Sequence, residues 1–150
     1  MMQFLVNTIG RIPSVENILS TVTGEGYSPV AVFGIPDTAR AVLSVAVENA
    51  LSRPVFVVTD TEATARKMQA DALALGASAE VFPARDFNLL NMLGSSKEYE
   101  LGRIGALWRL ITGKTKIIFT DIEAFSEKTI SPEALRAATI KISVGDTLDL

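Results

Sequence analysis

The residues from Gly34 to Ala41 read Gly-Ile-Pro-Asp-Thr-Ala-Arg-Ala, which has the length and flanks of a nucleotide-binding phosphate loop. Such a loop is Gly, four residues, Gly, Lys, then Ser or Thr, set between a buried strand and a helix. Pro29-Val30-Ala31-Val32-Phe33 reads as the strand, and Val42, Leu43, Ala46, Val47 and Ala50 recur at helical steps behind it. The frame fits, but the chemistry is missing. Ala39 stands where the second Gly would let backbone approach phosphate, Arg40 where the Lys would reach between oxygens, and Ala41 where a hydroxyl would hold Mg²⁺. Pro36 removes a further N–H donor, and the planar fork of Arg40 replaces a compact ammonium poorly. On these atoms productive ATP binding is not expected. The plainer reading of the same residues is that Gly34 ends a strand and Asp37 caps a helix.

Elsewhere the chemistry-bearing residues are sparse. With no histidine and no cysteine, the chain lacks the commonest general base, thiolate nucleophiles, disulfides and the usual zinc ligands. Arg85 and Asp86 follow a strand-like run, where open α/β sheets place their sites; a loop salt bridge or turn is the ordinary alternative. Asp121 and Glu123 offer two carboxylates, too few converging oxygens for Mg²⁺, and Asp121 more simply caps a helical turn. Trp108 at helical spacing with leucine and isoleucine reads as core. Arg103, Arg109, Lys114 and Lys116 gather near one helix end, which reads as a solvated face before it reads as a DNA-docking surface. No catalytic residue, metal ligand or cofactor is expected.

Those residues sit in a chain of 150, 48% apolar, enough to bury one core. A formal charge of −3, mixed in sign, gives no basic footprint for nucleic acid. The first residues lack the charged start and apolar run of a signal peptide, and no stretch approaches the ~20 apolar residues that span a bilayer. A cytoplasmic location, without membrane partners, is the expectation.

Pro13 opens a helix with Val15, Ile18, Leu19 and Val22 on one face, ending near Gly24. A second runs from about Thr38 to Leu51, and Pro54 to Val58 follows as a strand buried on both faces. Thr59 and Glu62 have capping-box spacing, Gly76 stands at a C-cap, and the helix between, Thr61 to Leu75, turns Ala65, Met68, Ala72 and Leu75 inward. Ala79 to Phe82 is a strand, residues 83–96 a loop, and Ser95 with Glu98 another capping box. The next helix carries Leu101, Ile104, Trp108 and Ile111 as its inner stripe, Gly102 and Gly105 allow close approach, and Gly113 stops it. Lys116 to Thr120 is a strand, Ser131-Pro132 starts a short helix, and Thr139 to Ile142 is strand-like. Alternation of this kind predicts an α/β fold with a mostly parallel sheet flanked by helices.

Five segments, in order, resemble the amino-terminal region of bacterial transcription-repair coupling factors. They are Phe82-Pro83-Ala84-Arg85-Asp86-Phe87; Ser95 to Glu100; Arg103-Ile104; Ile117 to Ala124; and Ile140 to Asp146. That family also carries a Gly-x4-Ala-Arg-Ala loop where its relative, the B subunit of the bacterial excision nuclease, keeps an intact phosphate loop. The B subunit itself is excluded, because residues 83–96 are too few for its damage-clamping hairpin. The resemblance implies a degenerate P-loop NTPase or helicase-like lobe over residues 1–126, with Gly34, Ala39, Arg40 and Ala41 as a defunct phosphate loop. Residues 127–150 would begin a following partner-binding domain. The full-length family protein is an ATP-driven DNA translocase that displaces stalled RNA polymerase and recruits the excision nuclease A subunit. This lobe would be a non-catalytic scaffold for the A-subunit contact, with RNA polymerase and DNA met elsewhere in the protein. A nucleotide-binding enzyme lobe using Arg40 in place of Lys is the alternative.

Overall fold

The computed structural model describes residues 2–24, 29–51, 53–85, 97–140, 142, 143 and 145. Three strands form an all-parallel sheet: β1 (Val55–Thr59), β2 (Ala79–Phe82) and β3 (Ile117–Asp121), in the order β1-β3-β2. Being central, β3 is buried along its whole length, and Val57 and Val81 both register against Phe119. Helices cover both faces, as an all-parallel sheet requires.

Strand alternation divides the core in two. On one face Ile117, Phe119, Val57 and Val81 meet Val45 and Ala46 of α3 (Asp37–Leu51) and Ala65, Met68 and Ala72 of α4 (Glu62–Ala74). Val6 completes that cluster from α1 (Met2–Gly10), an opening helix that the sequence reading missed; α1 and α2 (Pro13–Thr23) both lie on α3. On the other face Ile118 and Phe82 pack with Ala106 of α5 (Lys97–Ile111) and Ala124 of α6 (Ile122–Ser126). A last helix, α7 (Pro132–Ala137), leans on α5.

The helix ends follow local chemistry. Thr61 caps α4 through its hydroxyl, which accepts from the Thr64 amide, so the cap is Thr61 and not Thr59. Thr59 instead donates its hydroxyl to the Thr61 and Thr120 carbonyls, tying β1 to β3. Gly76, at φ +85°, turns the chain out of α4 as its position predicts.

Four expectations are corrected. Residues 29–33 form no strand: Phe33 is 89% exposed, and an apolar run flanked by proline has no ladder without a neighbouring edge. Ile140 and Ile142 are likewise outside any strand. Strand β1 is not buried on both faces: it lies at the sheet edge, where Phe56 is 47% exposed and makes an edge-on contact with Phe125 at 6.3 Å. The inner face of α5 is not the Leu101 stripe but Gly102, Arg103 and Ala106: Arg103 and Ala106 are buried, and Gly102 lies against Pro83, from which an added Cβ would stand 3.7 Å. Leu101 is 67% exposed, and Trp108 is half-buried rather than core. The predicted Ser95 cap lies outside the described residues.

Candidate functional site

The loop with phosphate-loop spacing leads directly into α3. Gly34 adopts φ +73°, a left-handed turn that releases the chain toward the helix. The amides of Ala39 and Arg40 are both donated to the Pro36 carbonyl, at 2.9 and 3.3 Å, so they serve the helix's first turn. Ala41 is completely buried in α3. Asp37 occupies that first turn, where its carboxylate complements the helix dipole as an anionic ligand would. Arg40 Nη1 lies 3.5 Å from Asp37 Oδ1, and Lys67 Nζ 3.8 Å from Oδ2. A depression of about 360 Å³ at the carboxyl end of β1 is lined by Asp37, Arg40 and Asp60 among others. Asp37 and Asp60 offset the charge of Arg40 and of the nearby Lys67, so no net positive charge is left there for a triphosphate.

A second cluster surrounds the end of β2. Arg85 does project from the carboxyl end of that strand, but its partners are Glu127 and the next residue's carbonyl: the Arg85 amide donates to Glu127 Oε1 at 3.2 Å, its Nε lies 3.9 Å from Oε2, and Nη2 donates to the Lys128 carbonyl at 3.4 Å. Asp86, its expected companion, lies outside the described residues. Glu127 meets a second cation from below, with Arg103 Nη1 2.8 Å from Oε2. The same Nη1 donates to the Pro83 carbonyl at 2.6 Å, and the guanidinium carbon sits 4.0 Å from the centroid of the Phe82 ring. Only 4% of Arg103 is exposed. Burial pushes its pKa below the ordinary arginine value, and the Glu127 charge opposes that fall. Nothing in the sequence spacing pointed to Glu127, which lies 24 positions after Arg103. The one available signal was an arginine flanked by Gly102 on a helix face with little room.

The basic group read as a solvated face is mostly paired. Besides Arg103, Arg109 reaches Glu80 on β2, with Nε 2.7 Å from Oε1 and Nη2 donating to Oε2 at 3.1 Å. Lys116 Nζ lies 3.3 Å from the buried Glu48. These ion pairs link α5 and α3 to the sheet, while the Arg109 and Lys116 side chains stay 43% and 59% exposed and Lys114 is exposed, as in a solvated face. Asp121 caps α6, accepting from the Ala124 amide at 2.7 Å, whereas Glu123 is exposed. Among the described residues no group of three or more acidic, histidine or cysteine side chains could hold a metal ion, and no helix is long and apolar enough to cross a membrane.

Comparison with known proteins finds a distant relative. The chain is 22% identical over 138 residues to the transcription-repair-coupling factor of Bacillus subtilis (strain 168), a match that covers 89% of this chain and 12% of that protein. The chain thus spans about an eighth of the length of the relative it matches. No protein-family profile matches it, and no solved structure does.

Proposed function

We propose that this chain is a non-catalytic amino-terminal module of a transcription-repair coupling factor, a helicase-like lobe whose phosphate loop no longer serves nucleotide. The observation that carries this reading is the alignment of nearly the whole chain with a coupling factor at 22% identity. Local geometry supports it. The amides of Ala39 and Arg40 are engaged by Pro36, and Asp37 holds the helix start against anions. In this reading residues 1–126 are the lobe and residues 127–150 lead into a domain that contacts the excision nuclease A subunit. The whole protein would be a cytoplasmic, ATP-dependent DNA translocase that clears stalled RNA polymerase from lesions, with its motor elsewhere.

Calorimetric titration with Mg-ATP to millimolar concentration separates this from the nucleotide-binding alternative. Absence of heat is the expected result. Saturable one-site binding that disappears in Arg40→Ala would make the lobe a nucleotide site and overturn the scaffold reading. The partner side is tested by retention of purified A subunit on a longer form of the protein that includes the following domain. A folded longer form that fails to retain it would remove the repair role.

A further inference from the structure

Residues 127–139 lie against the lobe along a poorly filled seam. The segment is the chain leaving α6, a short stretch up to the Ser131 cap, and α7, whose buried residue is Leu135. Between it and α5 runs a groove of about 430 Å³, lined by Ile104 and Leu107 on one side and Ile130, Leu135 and Ala138 on the other. Protein interiors are close-packed, so an open seam forfeits much of the dispersion attraction that would hold the two sides together. A helix of six residues has no stability of its own away from the lobe.

What fastens the segment is polar and sits at its start. Glu127 accepts from the Arg85 amide at 3.2 Å and meets Arg103 Nη1 at 2.8 Å, while Arg85 Nη2 donates to the Lys128 carbonyl at 3.4 Å. Farther along, Arg136 Nη2 reaches the Ile111 carbonyl at 3.5 Å, in an exposed position. The clasp at Glu127 is imperfect. Arg103 Nη2 and Glu127 Oε2 are both buried without a hydrogen-bond partner, although Oε2 forms the ion pair with Nη1. Buried charges that are incompletely hydrogen-bonded gain little net stability from each other, and contact with water relieves both at once.

We propose that residues 127–139 are a clasped flap, which opens from α5 as one unit while the three-stranded sheet stays folded, and that Glu127 sets how often it opens. In the open state α7 unwinds, Arg103 and Glu127 are hydrated, and the side of α5 that lines the groove is uncovered. Local opening of this kind occurs where burial is slight and backbone hydrogen bonds are exposed, and every residue of α7 except Leu135 is exposed. A helix that only frayed at its ends would be indifferent to Glu127, which precedes α7 and its cap. The flap requires nothing from the family reading, so the two stand or fall separately.

The test is native-state hydrogen exchange of the 150-residue chain, followed amide by amide by NMR in low concentrations of urea. The amides of Leu135, Ala138 and Thr139 donate to the carbonyls of Ser131, Ala134 and Arg136. They are expected to exchange about 100-fold faster than the amides of β3, at rates nearly independent of urea, because opening the flap exposes little surface. Glu127→Gln is expected to speed these three amides about tenfold or more, and the milder Glu127→Asp to act in the same direction. Val45→Ala, which thins the core on the opposite face of the sheet, is expected to speed β3 and leave the three amides unchanged. Three results each overturn the proposal. Urea dependence of the three amides equal to that of β3, or acceleration by Val45→Ala as large as that of β3, would place the segment in the global folding unit. Rates indifferent to both Glu127 variants would reduce α7 to a fraying helix.

Discussion

Arg103 Nη1 lies 2.8 Å from Glu127 Oε2, joining the middle of α5 to the residue that follows α6, beneath the end of β2. Because Arg103 is buried, the pair is screened little by solvent, and each partner depends on the other. Glu127→Ala therefore leaves an uncompensated guanidinium in the core and is expected to lower stability by about 2–4 kcal/mol, read from the urea midpoint. Replacing both partners, as Arg103→Met with Glu127→Leu, is expected to return to within about 1 kcal/mol of the starting protein, since an apolar pair carries no desolvation cost. A double variant as unstable as the single one would mean that Glu127 acts through Arg85 instead.

Asp121 has two competing readings, metal ligand and helix cap, and its position at the end of β3, immediately before α6, separates them. Its carboxylate accepts from the Ala124 amide at 2.7 Å and is buried. Asp121→Ala is expected to cost about 1–2 kcal/mol and Asp121→Asn a few tenths, the ranking of a cap. Millimolar MgCl₂ should leave the thermal midpoint of the wild-type chain unchanged. A rise in that midpoint, lost in Asp121→Asn, would restore the metal reading.

What the sequence made legible was whatever is decided locally. The Ser131-Pro132 helix start, the Asp121 cap, the Gly76 exit and the inward Ala65, Met68 and Ala72 all depend on residues within a turn or two, and all are found where the spacing places them. The illegible parts depend on distant partners. Whether Phe56 is covered depends on what packs against β1 from far along the chain, where Phe125 of α6 meets it edge-on, and no periodicity in β1 carries that information. The α5 stripe misled for a related reason: hydrophobic periodicity reports that a face is apolar, not what covers it. For the candidate sites, the chemistry missing at Ala39, Arg40 and Ala41 was plain from residue types, whereas the Arg85, Arg103 and Glu127 cluster exists only in three dimensions.

Two glycines predict opposite outcomes for the same substitution. Gly76 holds φ +85° with open space around it, so Gly76→Ala meets no clash but strains the backbone, and is expected to destabilise by about 1–2 kcal/mol. Gly102 is helical, and an added Cβ would make ordinary contact with Pro83 at 3.7 Å. Gly102→Ala is expected to stabilise α5 by up to about 1 kcal/mol through helix propensity. Chemical denaturation of both variants checks the pair, and destabilisation by Gly102→Ala would show that α5 lies closer to β2 than described.

The start of α7 carries a pH dependence whose sign follows from its hydrogen bonds. Glu133 is held below the usual carboxylate pKa, first by its own backbone amide and then by the Ser131 hydroxyl. A carboxyl whose folded pKa is depressed adds stability above its unfolded value, and that contribution is lost as pH falls through the folded value. Ser131 also caps the helix, accepting from the Ala134 amide at 3.2 Å. Ser131→Ala is thus expected to act twice. It removes the cap at every pH, costing about 1 kcal/mol, and it moves the Glu133 pKa up toward the ordinary value, which shrinks the stability that ionised Glu133 adds and narrows the pH window over which acid removes it. Carbon-detected titration of the Glu133 carboxyl in the wild type and the variant measures the second effect apart from the first. An unchanged Glu133 titration would assign its lowered pKa to the backbone alone, leaving Ser131 as a cap with no electrostatic role.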